Sequence, residues 1–279
     1  MLLDPAFAVA VVVLTGIFGT IIGSFLNVVV WRLPRGESLS HPGSACPNCG
    51  HPIRWWDNIP VVSWIVLRGK CRDCGAPISS RYVLVETATG LFFAGIAFWI
   101  LSGGLGLVEP VALILAGVAF LYLASISVAL ALIDLDTHTL PNRIVLPSYI
   151  VGAVLIVAAS LVEGDLGSLI RAGIGLAAMF AAYFLMAIAY PGGMGFGDVK
   201  LAGVLGLYLA WLGWGELAIG FFAAFVLGGV FSLVLILAKK ASRKSGIPFG
   251  PWMLVGAWVG IFVGDAIARG YLALFGLAL

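Results

Sequence analysis

Pro191-Gly192-Gly193-Met194-Gly195-Phe196-Gly197-Asp198-Val199-Lys200 sets a carboxylate among four glycines at the end of a long apolar run. An ionisable residue at the edge of a membrane span is costly there, so it reads as functional and calls for a nearby partner. The candidate partner is Asp134, in Ile133-Asp134-Leu135-Asp136-Thr137-His138-Thr139-Leu140-Pro141-Asn142. Around these segments, hydrophobic residues make up 62% of the 279 and charged residues 10%. Soluble proteins are roughly half apolar and a quarter charged, so the chain reads as an all-α polytopic membrane protein embedded in a lipid bilayer. A net charge of +2 is too small to argue for a nucleic-acid partner, and none is expected.

At about 20 apolar residues per crossing, spans are expected near Phe7–Val30, Tyr82–Leu101, Val108–Ile133, Ile144–Val162, Leu169–Tyr190, Leu201–Trp214, Leu217–Ala238 and Trp252–Phe275. That makes eight transmembrane helices, the sixth of them short. The apolar run from Ala6 to Trp31 outlasts the core of a secretory signal, about 7–15 residues, and reads as a retained span. Seven basic residues, Arg32, Arg35, Arg54, Arg68, Lys70, Arg72 and Arg81, fall between the first two spans, and Lys239, Lys240, Arg243 and Lys244 fall between the last two. The positive-inside rule makes both loops cytoplasmic, which with eight crossings puts both termini outside and brings the Asp134 and Asp198 segments to the cytoplasmic face. An alkaline-phosphatase fusion after Gly164 should be active, and an inactive one would break this map.

The expected organisation is therefore a first transmembrane helix over 1–31, a cytoplasmic zinc-ribbon-like loop over 32–81 and a seven-helix membrane domain over 82–279. A loop of about 50 residues buries little core by itself and commonly needs a metal or disulfides. It holds all four cysteines, as Cys46-Pro47-Asn48-Cys49 and Cys71-Arg72-Asp73-Cys74. Two such pairs supply four thiolates for a tetrahedral zinc at close to the usual ribbon spacing, and cytoplasmic thiols rarely stay in disulfides. A redox pair or a metal-free remnant is the other reading. His41 and His51 are taken as loop histidines and His138 as interfacial, and Asp265 with Arg269 as an i,i+4 pair that neutralises itself. Glu86, just inside the second span, is either functional or a solvated interfacial carboxylate.

Glycines in a Gly-x-Gly-Asp turn permit positive φ and close backbone approach, which lets an extended substrate reach the carboxylate. Two carboxylates brought together resist double ionisation, so one can hold a proton while the other carries charge. Such a pair can activate a water and protonate a leaving amine, which suits peptide hydrolysis without a covalent intermediate or a cofactor. The residues alone equally allow two separate interfacial carboxylates, or proton-relay aspartates in a membrane transporter with a cytoplasmic zinc module. A non-catalytic scaffold is a third reading.

The chain resembles the bacterial type IV prepilin peptidases, membrane aspartic proteases of the GxGD type. The resemblance runs through Gly23-Ser24-Phe25-Leu26-Asn27-Val28, Arg32-Leu33-Pro34, both cysteine pairs, Trp56-Asp57-Asn58-Ile59-Pro60, Ser63-Trp64, Arg68-Gly69-Lys70-Cys71 and Arg81-Tyr82 with Val85-Glu86. It continues through Asp134-Leu135-Asp136 with Leu140-Pro141, Gly193 to Lys200, and Pro248-Phe249-Gly250-Pro251. It implies that Asp134 and Asp198 are the catalytic pair, supported by Gly195, Gly197 and Asp136. It also implies that the substrates are prepilins or type II secretion pseudopilins, cut after a glycine at the cytoplasmic face of the bacterial inner membrane. Many members then N-methylate the new terminus with S-adenosylmethionine, an activity associated with the cysteine loop, where Gly69, Lys70 and Glu86 are the candidates. Asn142 stands where many members have aspartate. The loop shows no glycine-rich nucleotide fingerprint, so the methyl transfer rests on the resemblance alone.

Overall fold

The computed structural model describes residues 4–190, 193–240 and 246–277. Pro191 and Gly192 of the glycine-rich stretch, and Arg243 and Lys244 of the second basic cluster, lie outside the described residues. Among the described residues the main elements are all helices, α1 (Pro5–Arg32), α2 (Val62–Val66), α3 (Ser80–Leu101), α4 (Pro110–Thr137), α5 (Asn142–Glu163), α6 (Leu166–Ala189), α7 (Phe196–Leu212), α8 (Trp214–Leu237) and α9 (Gly250–Ala273), while the 32–81 loop is mostly turns. Among the described residues, seven of these helices are long and apolar enough to cross a membrane: α1, α3, α4, α5, α6, α8 and α9. The remaining long helix, α7, corresponds to the span expected to be short.

The starts of these helices follow local chemistry. Asp4 caps α1 by accepting the Ala6 N–H at 2.7 Å, with Pro5 in the first helical position where no N–H is needed. Asp165 caps α6 in the same way through Ser168 N–H at 3.0 Å. The carboxylate of Glu163, ending α5, accepts the N–H groups of Val108 and Glu109 at 3.0 and 3.1 Å and so fixes the approach to α4.

The helices gather into two compact units, Met1–Ser102 with Phe120–Ala129, and Gly103–Ala119 with Leu130–Leu279. In the first, α1 and α3 meet through small residues. A Cβ on Gly19 would lie 2.7 Å from Phe93 Cβ, and one on Gly23 would lie 2.8 Å from the Glu86 Cα. Gly19 and Gly23 have the small-xxx-small spacing by which helices approach closely in lipid, where apolar burial gives no drive to associate.

The second unit is built around α7. Every residue from Leu201 to Trp211 is buried, which explains both its all-round apolar sequence and its 17 residues: neighbouring protein surrounds it, so it need not match the bilayer thickness. Gly152 of α5 abuts the Tyr208 ring, whose hydroxyl donates to the Ala119 carbonyl at 3.2 Å. Arg171 of α6 donates to the carbonyls of Ala210, Trp211 and Leu212 at 2.6, 2.7 and 3.2 Å. These are C-terminal carbonyls with no partner inside the helix, and a cation there also complements the helix dipole. Alongside, α8 and α9 pack through Gly256, Gly260 and Gly264, where added methyls would meet the backbone of α8, while one on Gly220 would meet the Leu209 side chain of α7.

Candidate active site

Asp134 lies in the last turn of α4, which stops where His138 adopts φ 54° and returns its N–H to the Asp134 carbonyl at 2.9 Å. The chain then runs extended through Pro141 into α5. The Asp134 side chain is buried, 5% exposed, and its Oδ2 accepts the Gly250 N–H at 3.1 Å. Gly250 opens α9, so this N–H is one of the orphan donors that every helix start carries. A carboxylate that takes it also sits at the positive end of the helix dipole.

Asp198 is built on the same principle from its own helix. It occupies the third position of α7, and its Oδ2 accepts the N–H of Gly195, the residue that caps the helix, at 3.1 Å. Its side chain is half-buried, whereas Gly193, Gly195 and Phe196 are exposed, so the site is open on the glycine side. Leu140 lies between the supports of the two carboxylates: a Cβ on Gly197 would sit 3.0 Å from Leu140 Cβ, and one on Gly250 would sit 3.2 Å from Leu140 Cδ2 and 2.7 Å from Asp134 Oδ2. The fully buried Tyr183 packs its ring among Phe221, Phe225 and Phe249, the last of which precedes Gly250 in the chain. Lys200 donates to Asn142 Oδ1 at 3.0 Å, joining the start of α7 to the start of α5.

Asp134, Asp198, Gly195 and Gly197 thus lie in one compact unit with their supports interlocked, while Asp136 is exposed on the last turn of α4. Gly250, Leu140 and Tyr183 are site residues that sequence reasoning did not single out. The available signal was the Pro248-Phe249-Gly250-Pro251 run, a glycine followed by proline at a helix start. Asp265 and Arg269 do pair, at 2.8 Å.

The four cysteines converge. Their sulfurs all lie within 4.8 Å of one another, with Cys46 Sγ and Cys74 Sγ 3.8 Å apart. A tetrahedral zinc with bonds of about 2.3 Å needs sulfurs about 3.8 Å apart, so the residues present fit that metal. The loop builds the cluster by repetition. Cys46-Pro47-Asn48-Cys49-Gly50-His51-Pro52-Ile53 and Cys71-Arg72-Asp73-Cys74-Gly75-Ala76-Pro77-Ile78 fold alike: Cys46 N–H reaches the His51 carbonyl at 2.9 Å and Cys71 N–H the Ala76 carbonyl at 2.8 Å. Gly50 and Gly75 turn the chain at φ 71° and 72°, angles that favour glycine. The Ala76 N–H and the Asn48 amide pull the Cys74 thiol down to about 6. The His51 N–H favours the Cys49 thiolate, but burial and the hydrogen bonds Cys49 makes to Cys46, Cys74 and Cys71 outweigh it and push it up to about 12. A dication removes that conflict by stabilising all four thiolates together.

Of the three candidates for methyl transfer, Glu86 and Gly69 have structural duties. Glu86 is not solvated: it is 8% exposed and its Oε2 accepts the Val61 N–H at 2.7 Å, holding Val61 at φ 63°. Gly69, at φ 67°, lies against the Trp64 ring, and Lys70 is exposed.

Two family models match: the bacterial peptidase A24 N-terminal domain over residues 17–100 and the type IV leader peptidase family over residues 119–233. No solved structure matches the chain. The prepilin leader peptidase/N-methyltransferase of Aeromonas hydrophila is 36% identical, with 93% of each chain covered. Those of Stutzerimonas stutzeri (35% identical, 92% of each) and Pseudomonas aeruginosa (34%, 96% of this chain and 95% of the other) bear the same name. With both halves matched and these relatives aligned nearly end to end, the chain belongs to the type IV leader peptidase family.

Proposed function

We propose that this chain is a membrane-embedded aspartic endopeptidase that removes the leader from type IV prepilins or type II secretion pseudopilins and then N-methylates the exposed terminus. The observation that carries the reading is the pair of carboxylates, Asp134 and Asp198, each held by an N–H at a helix start within one compact unit. In this reading one carboxylate takes a proton from water as the oxygen attacks the scissile carbonyl. The other, protonated, first hydrogen-bonds that carbonyl and later gives its proton to the leaving amine. Water is consumed, no acyl-enzyme forms, and no cofactor is needed for the cut. Gly195 and Gly197 keep the backbone beside Asp198 clear for an extended substrate, and Asp136 supports the first aspartate from its helix end.

A prepilin carries a basic leader followed by an apolar helix, which presents its scissile bond at the membrane surface. Asp134 and Asp198 lie in the last turn of α4 and the first turn of α7, which suits that depth. A transporter site usually lies at the bilayer midplane, among interrupted helices. The basic residues of the two loops favour a site at the cytoplasmic face of the inner membrane, with both termini outside when α7 is counted as the eighth crossing. The four cysteines hold a structural zinc that orders the 32–81 loop. S-adenosylmethionine, when bound, supplies an electrophilic methyl group to the new amine, and Gly69, Lys70 and Glu86 act in that half of the reaction by shaping the loop.

Incubating the purified protein with a prepilin, with and without S-adenosylmethionine, tests the whole reading. The expected products are a shortened pilin in both reactions and a mass gain of one methyl in the second only. An uncut prepilin under both conditions would reject it.

A further inference from the structure

The 32–81 loop turns an unusual amount of apolar surface outward. Trp55 is 76% exposed, Trp56 47%, Ile59 42%, Val62 52%, Ile65 61% and Val66 67%. Large apolar side chains exposed together over one short segment mark an interaction site. The indoles are held in place. Arg54 pairs with Asp73 at 3.1 Å, and Asp57 accepts three hydrogen bonds from Arg72 at 2.6–3.0 Å, so ion pairs to the second cysteine turn fix the chain on either side of Trp55 and Trp56. The two rings meet edge to face, 5.3 Å between centroids.

What covers this surface follows from where α2 is tethered. The Val61 N–H binds Glu86 Oε2 at 2.7 Å, and Ser63 Oγ donates to the Trp56 carbonyl at 2.9 Å. Glu86 lies six residues into α3, about 9 Å along its axis at about 1.5 Å per residue. Its Cα abuts Gly23, nine residues before the end of α1 and so about 14 Å below it on the same rise. The start of α2 therefore hangs beside the body of two membrane-crossing helices, not beyond their ends. Around it the ends of those helices carry Trp31 with the Arg35 guanidinium 3.7 Å over its ring, and the exposed Tyr82, the aromatic and cationic pattern of a membrane interface. Interfacial segments bury their apolar face about 5–10 Å into the headgroup and acyl boundary, a depth that matches this tether.

We propose that α2 and the Trp55–Trp56 pair form an interfacial anchor, inserted into the leaflet on the loop's own side of the membrane. The cysteine module then lies down on the bilayer surface. The proposal rests on the chain spanning a membrane and not on its catalytic reading.

The test uses the full chain, zinc-loaded, in proteoliposomes of phosphatidylethanolamine and phosphatidylglycerol. A nitroxide is attached through a keto-bearing residue at Val66, which leaves the cysteines untouched, with reference labels at Leu91, lipid-facing in mid-α3, and Glu37, exposed in the loop. At Val66, collisions with oxygen should exceed those with a water-soluble nickel chelate severalfold, as at Leu91 and opposite to Glu37. A water-like profile matching Glu37 would overturn the proposal. So would weak collision with both reagents, which would mean that protein covers the patch. A second measurement does not depend on the label: brominated lipids should quench wild-type tryptophan fluorescence more than that of Trp55→Phe/Trp56→Phe, and equal quenching would count against insertion.

Discussion

The aspartate site and the cysteine loop are both made from backbone N–H groups aimed at anionic ligand atoms, yet they are assembled at opposite ranges. The Asp134–Gly250 hydrogen bond joins residues 116 apart in the chain, and α4, α7 and α9 must all be in place before that constellation exists. The cysteine loop closes within 33 residues, from Cys46 to Ile78, through two copies of one turn. The first kind of site draws its rigidity from a packed helical scaffold and can lose chemistry without losing fold. The second has little core, so its order depends on the atom its thiolates share.

That contrast can be broken by experiment. Apart from removing a carboxylate outright, the largest effect is expected from Gly250→Ala. Its new methyl group would sit 2.7 Å from Asp134 Oδ2, and displacing a catalytic group by about 1 Å can cost on the order of 10²-fold in rate. Prepilin cleavage should fall by about that factor with helicity unchanged, while Gly229→Ala, where nothing lies within 4 Å, should cleave normally. Cleavage by Gly250→Ala at the wild-type rate would mean that the α9 start does not position Asp134.

Cys71→Ser should act in the other region. The loop should lose its metal stoichiometry and its resistance to proteolysis, and methylation should fall by roughly tenfold or more, with a smaller loss of cleavage. Equal loss of both activities at unchanged protein level would erase the distinction between the two regions.

The smallest effect is expected at the Asp57–Arg72 pair. Arg72 holds the Asp57 carboxyl below its usual range. A depressed carboxylate contributes stability above its unfolded value of about 3.9 and loses it as pH falls through the lower folded value. Asp57→Asn should therefore lower the protease resistance of the zinc-loaded loop slightly and by the same amount at every pH above about 5, where the carboxyl stays ionised, and a loss that grew between pH 8 and pH 6 would contradict this. An exposed partner limits the size of the change.

The same contrast explains what was legible in the sequence. The spans were readable because lipid imposes length and apolarity on each helix separately, and the short sixth span was readable as short. Its reason was not, because the enclosure of Leu201–Trp211 is a property of its neighbours. The cysteine ligands could be read from spacing, since the turn that presents them is local. Gly250 and Leu140 stand in runs that carry the resemblance, but their part in the site was hidden, since a helix-start N–H becomes a carboxylate partner only when two distant segments meet. Glu86 read as either functional or solvated, and its burial under Val61 was invisible without knowing where the loop folds back.

The central claim is that Asp134 and Asp198 act as one catalytic pair. Its most direct measurement is the rate of prepilin cleavage by Asp134→Asn and Asp198→Asn, purified at wild-type yield and reconstituted with the same substrate. Each isosteric change keeps a hydrogen-bond acceptor for the Gly250 or Gly195 N–H but removes the proton-transfer group, whose contribution is about 10²–10⁴-fold. Each variant should lose at least about that much, and the double variant should lose little more than either alone. Appreciable cleavage by either single variant would contradict the account.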